Sequence, residues 1–90
     1  MSYVYPKSIE SAAEILNEAL SQEELDSIKK MKENDLWELH MNLGQGIRNS
    51  MGLWKDNKEL LRSCGSEEMH PDDASSAIVK FLWLKLRHEK

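Results

Sequence analysis

Apolar residues recur along this chain at intervals of three and four, the spacing of one helix face rather than the alternation of a strand. Ile9, Ala12, Ala13, Leu16 and Leu20 form the first such series, with Glu10, Glu14 and Glu18 on the opposite side. Ser8 stands just ahead of it as a good N-cap, so the pattern predicts a surface helix from about Ser8 to Leu20. Ser21 and Glu24 have the spacing of a capping box and open a second helix that carries Leu25, Ile28 and Met31 inward. Asn34 is the expected cap of a third helix. Its stripe is Leu36, Leu39, His40, Leu43 and Ile47, with Trp37, Met41 and Gly44 beside it. It should end near Asn49 to Gly52, where Gly52 can take the left-handed conformation. Asn57 is placed to cap a brief fourth helix through Leu60, Leu61 and Cys64, stopped by Gly65. After a loop over Ser66 to Met69, His70-Pro71-Asp72-Asp73 starts the last helix, since proline suits a first turn and carboxylates favour the positive end of the helix dipole. Ala77, Ile78, Val79, Phe81, Leu82, Trp83, Leu84 and Leu86 make that helix apolar on almost every side, which predicts a central position. Lys85, Arg87, His88 and Lys90 place cations at its negative end.

Only Ser2 to Pro6 reads as an extended arm, and no internal repeat interrupts the pattern. The expected fold is all-α: one domain over residues 1–90, a compact bundle of four or five helices around the apolar C-terminal one. A chain of 90 residues has a small core. No run of about 18 apolar residues suggests a transmembrane helix. The first residues lack the basic-then-apolar order of a secretory signal. Cys64 is the single cysteine and cannot form an internal disulfide, so a cytosolic location is the default expectation.

Gly44 and Gly46 lie inside the third helix, where each costs roughly 1 kcal/mol against alanine. Close approach of a neighbouring helix backbone is the expected compensation. Gly44-Gln45-Gly46 is not a phosphate loop, because no strand precedes it and no Gly-Lys-Ser/Thr follows.

The net charge of −4 is modest but unevenly placed. Between Ser8 and Ile28 stand six acids, Glu10, Glu14, Glu18, Glu23, Glu24 and Asp26, with no lysine or arginine, and Lys29, Lys30 and Lys32 follow at once. This argues against non-specific nucleic-acid binding, which needs phosphate-neutralising cations, and favours a basic partner. The plainer alternative is a solvated helix face.

Candidate chemistry is sparse. A zinc site wants His-x3-His or Cys-x2-Cys, and neither pair occurs, so a metal would have to be assembled from distant residues such as His40, His70 and Asp73. His40 reads more simply as a core-edge residue with a hydrogen bond, His70 as a residue that fixes a helix start, and Cys64 as a buried, inert thiol. Asp72 and Asp73 are adjacent on a helix and point in different directions, which weakens them as an acid-base pair. Arg48 can reach Asp72 or Asp73 and hold the third helix to the last. The alternative is an exposed arginine framed by Trp37 and Trp54, the composition of a binding hot spot. Three tryptophans in so small a core favour burial for most of them. No catalytic, cofactor-binding or metal residue is assigned, and the chain is not expected to be an enzyme.

The series Leu36-Trp37, His40, Leu43-Gly44, Ile47-Arg48-Asn49, Gly52-Leu53-Trp54, Asn57, Leu60-Leu61, Cys64 and His70-Pro71-Asp72-Asp73-Ala74-Ser75 resembles a family of small bacterial α-helical domains. The resemblance runs from about Leu36 to Leu86 and leaves the N-terminal acidic helix outside. The chain is also similar to immunity proteins of bacterial toxin systems, including contact-dependent growth inhibition. That resemblance implies a cytosolic inhibitor of a cognate toxin, with a basic nuclease-like domain as partner, held as a 1:1 complex by an otherwise monomeric protein. The acids Glu10, Glu14, Glu18, Glu23, Glu24 and Asp26 are the expected contact surface. The competing readings are a homo-oligomeric scaffold or regulatory module, favoured if Val79 or Trp83 were exposed, and a small metal-dependent enzyme.

Overall fold

The computed structural model describes residues 5–53 and 57–88. Ser2 to Val4 of the expected arm, Trp54 and Lys90 lie outside them. Five α-helices follow in order: α1 (Ile9–Ala19), α2 (Gln22–Lys30), α3 (Leu36–Ser50), α4 (Lys58–Cys64) and α5 (Pro71–His88). Among the described residues there is no strand. The all-α bundle is as the apolar spacing predicts, and α5 packs against each of the other four helices.

The helix ends are set by local chemistry. Ser8 caps α1, its hydroxyl accepting from the Ser11 amide at 3.1 Å. The Ser21–Glu24 capping box forms in both directions: the Glu24 amide donates to the Ser21 hydroxyl at 3.2 Å, and the Ser21 amide donates to Glu24 Oε1 at 3.1 Å. Gly52 follows α3 at φ +71, and a Cβ there would lie 2.7 Å from the Tyr5 ring, so both backbone and space require glycine.

Two expected caps differ. Asn34 does not cap α3. A single 3-10 turn, Glu33–Asp35, runs straight into the helix, and the Asp35 carboxylate accepts from the Lys32 amide at 3.4 Å to close that turn. The Asn57 side chain makes no cap to α4. Its Nδ2 donates instead to the Pro6 and Met51 carbonyls, both at 2.9 Å, and ties the start of the chain to the end of α3.

The core joins Ala12 and Ala13 of α1, Leu25 and Ile28 of α2, Leu36, Leu39 and Ile47 of α3, and Leu60 and Leu61 of α4 to the buried face of α5. The two alanines are fully buried, so they bring α1 close to its neighbours where larger side chains would hold it off. Trp83 is buried on α5, and its indole Nε1 donates to the Met31 carbonyl at 2.9 Å, which satisfies the last residue of the α2 turn. Arg87 lies 4.8 Å over the same ring. Val79 and Trp83 are both buried, so they offer no exposed oligomer face on α5. No helix among the described residues is long and apolar enough to cross a membrane.

Candidate functional site

The polar centre of the molecule lies where α3 runs antiparallel along the start of α5. Ser75 is the one polar residue of the buried interior, fully enclosed on the α5 face that also carries Ala74, Ile78 and Val79. Its hydroxyl donates to the Asp72 carbonyl at 3.0 Å, the back-bond by which a serine satisfies itself inside a helix. His40 Nε2 lies 2.7 Å from the same hydroxyl, and Arg48 Nη1 donates to it at 3.4 Å. Arg48 Nη1 also pairs with Asp72 Oδ1 at 2.8 Å. Arg48 Nε is buried without a described partner, so the guanidinium is held by its outer end alone.

This cluster bears out the expected roles of His40 as a core-edge hydrogen-bonding residue and of Arg48 as the tie from α3 to α5. His70 is likewise where a helix start needs it: its Nδ1 accepts from the Asp72 amide at 3.0 Å and lies 3.9 Å from Asp72 Oδ2. The Ser–His pair is not a nucleophile and its base. Ser75 is fully buried and closed to any substrate, and its hydroxyl donates to the Asp72 carbonyl. His40, His70 and Asp73 do not converge: among the described residues no three of histidine, cysteine, aspartate and glutamate could hold a metal.

Gly44 is needed for a different reason than expected. The three atoms nearest a Cβ there belong to side chains, not to a neighbouring backbone. The Cβ would lie 2.8 Å from His40 Cδ2 and Nε2 and 2.9 Å from Arg48 Nη1, the side chains one turn behind and one turn ahead on the same helix. The missing side chain is the gap through which both reach Ser75. Gly46 has nothing within 4 Å of the corresponding position, so close approach does not account for it.

Outside this cluster, two large apolar residues of α3 stand in solvent: Trp37 is 63% exposed and Met41 70% exposed, so Trp37 is not among the tryptophans that fill the core. Four residues apart, Trp37 and Met41 share a face. Met41 lines an open hollow of about 480 Å³ with His40, Arg48, Asp72, Asp73 and Ser76. Trp54, the other ring expected to frame Arg48, is outside the described residues.

The six acids assigned as partner contacts are all exposed, on two elements. Glu10, Glu14 and Glu18 run down α1; Glu23, Glu24 and Asp26 belong to α2. None forms an ion pair with a described lysine or arginine. Two have local work. Glu24 closes the capping box, and its bonds to the Ser21 amide and then the Ser21 hydroxyl hold its carboxyl below the ordinary value. Asp26 accepts from Gln22 Nε2 at 3.0 Å. Glu10 bears on Cys64: burial, with the Glu10 charge behind it, pushes the half-buried thiol up to about 11. The thiol is thus kept protonated and unreactive at neutral pH.

The matched family spans residues 5–86 and is described as a domain of unknown function, DUF6794. The chain belongs to this family. Because the DUF6794 match starts at residue 5, it takes in α1, and the acidic helix is part of the family domain rather than an addition to it. No curated protein and no solved structure matches the chain. The DUF6794 description names no activity, ligand or partner, so function is argued from the residues.

Sequence reasoning missed Ser75 and left the exposure of Trp37 open. The signal for Ser75 was a lone hydroxyl on an otherwise apolar face, spaced to meet His40 across the helix pair. Trp37 gave none: its place beside the apolar stripe suits burial and exposure equally.

Proposed function

We propose that this domain is a cytosolic, non-catalytic binding module that neutralises a basic protein partner as a toxin immunity protein does, the partner being a nuclease-like domain bound one to one. The observation that supports the reading is the unpaired acid set. Glu10, Glu14, Glu18, Glu23, Glu24 and Asp26 are exposed, and none forms an ion pair with a described lysine or arginine. Charges left uncompensated on one part of a small protein steer an oppositely charged partner and add to its association rate. A nuclease cleft must be cationic to hold a phosphate backbone, so it complements such a surface. The closed Ser75 cluster favours binding over catalysis.

The test is capture from host lysate on the tagged protein at low and moderate salt, in wild type and in the double variant Glu14→Lys, Glu18→Lys. The expected result is recovery of one basic, toxin-like domain whose retention falls with salt and with the charge reversal. Recovery of such a domain with equal affinity in the variant would remove these acids from the interface. Recovery of no basic protein would sink the immunity reading.

A further inference from the structure

We propose that the face shared by α3 and the start of α5 is a docking surface for a basic polypeptide segment, one of whose lysine or arginine side chains enters the hollow beside Asp73. The inference rests on the reading of this domain as a binding module and adds a contact that the α1 and α2 acids do not supply.

Two features carry it. The first is apolar exposure in one place. Trp37 at 63% and Met41 at 70% are the two most exposed large hydrophobic side chains among the described residues, and they are neighbours on one helix face. Tryptophan is among the residue types that carry most binding energy at protein interfaces. The second is charge. Two carboxylates, Asp72 and Asp73, face one guanidinium, Arg48, across the hollow. Arg48 takes Asp72 Oδ1, and the exposed Asp73 has no described ion-pair partner. A cationic side chain fits this arrangement: its head meets Asp73, its methylene stem lies along Met41, and the Trp37 ring offers a π face to a second cation. A phosphate or carboxylate ligand would meet the aspartates first. A second copy of this chain, also at net charge −4, would bring like charges together.

Two ion pairs span the helices that carry this face. Arg48–Asp72 at 2.8 Å and Glu33–Lys80 at 3.2 Å tie α3 and the turn before it to α5 at both ends of the stretch that bears Trp37 and Met41. Side chains on such a frame lose less freedom on binding than those on a loop.

The test is a nitrogen-15 NMR titration of the full chain with the capped peptide acetyl-Ala-Arg-Leu-Lys-Ala-amide, with the Arg and Lys replaced by Glu as control. The expected result is saturable shifts of the Trp37 indole N–H, the Met41 methyl and the amides of Asp73 and Ser76, with none from the acidic control. Asp73→Asn and Trp37→Ala should each weaken binding by on the order of 10-fold. Their circular dichroism should match wild type, since both side chains are exposed. Glu14→Lys with Glu18→Lys should leave these shifts in place. Shifts confined to α1 and α2 would overturn this placement while leaving the basic-partner reading intact. No shift with millimolar peptide would overturn it outright. Concentration-dependent shifts of the same residues without peptide would overturn it in favour of a second copy.

Discussion

Alanine at Gly44 and alanine at Gly46 are the same chemical change two residues apart in one helix, and they should move stability in opposite directions. Each substitution removes the backbone freedom of an interior glycine, a gain of about 1 kcal/mol. At Gly46 nothing lies within 4 Å of the new methyl, so that gain should appear in full, raising Tm by about 4–8 °C for a domain of this size. At Gly44 the methyl would sit 2.8 Å from the His40 ring and 2.9 Å from Arg48 Nη1. Both must retreat by several tenths of an ångström. Their far ends are not free to do so, because His40 is bonded to Ser75 at 2.7 Å and Arg48 to Asp72 at 2.8 Å. Losing the His40 bond costs about 1 kcal/mol, and leaving a buried hydroxyl and a half-buried imidazole nitrogen poorly matched costs roughly 1–2 kcal/mol more. Gly44→Ala should therefore fall about 1–2 kcal/mol below wild type and about 2–3 kcal/mol below Gly46→Ala. Urea unfolding followed by circular dichroism measures both. Repeating Gly44→Ala in a Ser75→Ala background should shrink its penalty, since the bond it breaks is already gone. Two variants within about 0.5 kcal/mol of each other would refute the account of Gly44 as the gap that lets His40 and Arg48 reach Ser75.

The Cys64 thiol, pushed from 9.0 to about 11 by burial and Glu10, should react with iodoacetamide at pH 8 on the order of 100-fold more slowly than an ordinary cysteine, and a rate equal to that of free cysteine would contradict its burial. Because the folded value is raised, its stabilising contribution is complete below about pH 9 and declines as pH rises toward 11. Glu24 has the opposite sign: its folded value is lowered by Ser21, so its contribution is complete above the ordinary value of 4.5 and is lost as pH falls through the depressed value. Glu24→Gln should remove that part of the acid unfolding profile, and an unchanged profile would mean that the capping box does not hold in solution. Trp83→Phe should destabilise by about 2–4 kcal/mol, from the lost bond to the Met31 carbonyl and the smaller ring, as read by thermal unfolding; a neutral result would deny the contact between α5 and the end of α2.

Where a residue's role was set by its neighbours in sequence, it was legible. The caps at Ser8 and Ser21, the left-handed Gly52 and the start of α5 are local devices, and each forms as its spacing implies. The centrality of α5 was also legible, because so continuous an apolar surface has to be covered on several sides. Long-range contacts were legible only when charge named the pair, as with Arg48 and Asp72. Asn57 shows the limit. Its position suggests a cap, yet its amide is drawn to the Pro6 and Met51 carbonyls, which the chain brings near only after it folds. Trp37 and Trp83 show it again. Both stand among apolar residues in a helix, and only the direction of the helix faces separates the buried ring from the exposed one.

The same geometry explains why one short helix pair can hold both a structural centre and a free surface. On α3, His40 and Arg48 must point toward α5 to reach Ser75, and Gly44 between them keeps that side narrow. Trp37 and Met41 stand on the stripe of α3 that continues through Gly44 and Arg48, at the edge of the contact with α5. Their exposure marks the rim of that contact. It is not explained by any gain for the isolated domain, since a tryptophan and a methionine in water contribute little to folding. A side chain that brings little stability where it stands, on helices bridged by ion pairs on either side of it, is most simply understood through what it meets outside the chain. If that is right, disruption of the frame and removal of the ring should separate. Arg48→Lys keeps the charge but replaces the Nη1 that meets both Asp72 and Ser75 with a shorter, rotatable ammonium, so it should lower both stability and peptide affinity. Trp37→Ala should lower affinity alone. Equal loss of stability in the two variants would place Trp37 within the packing of the fold and withdraw it from the surface offered to a partner.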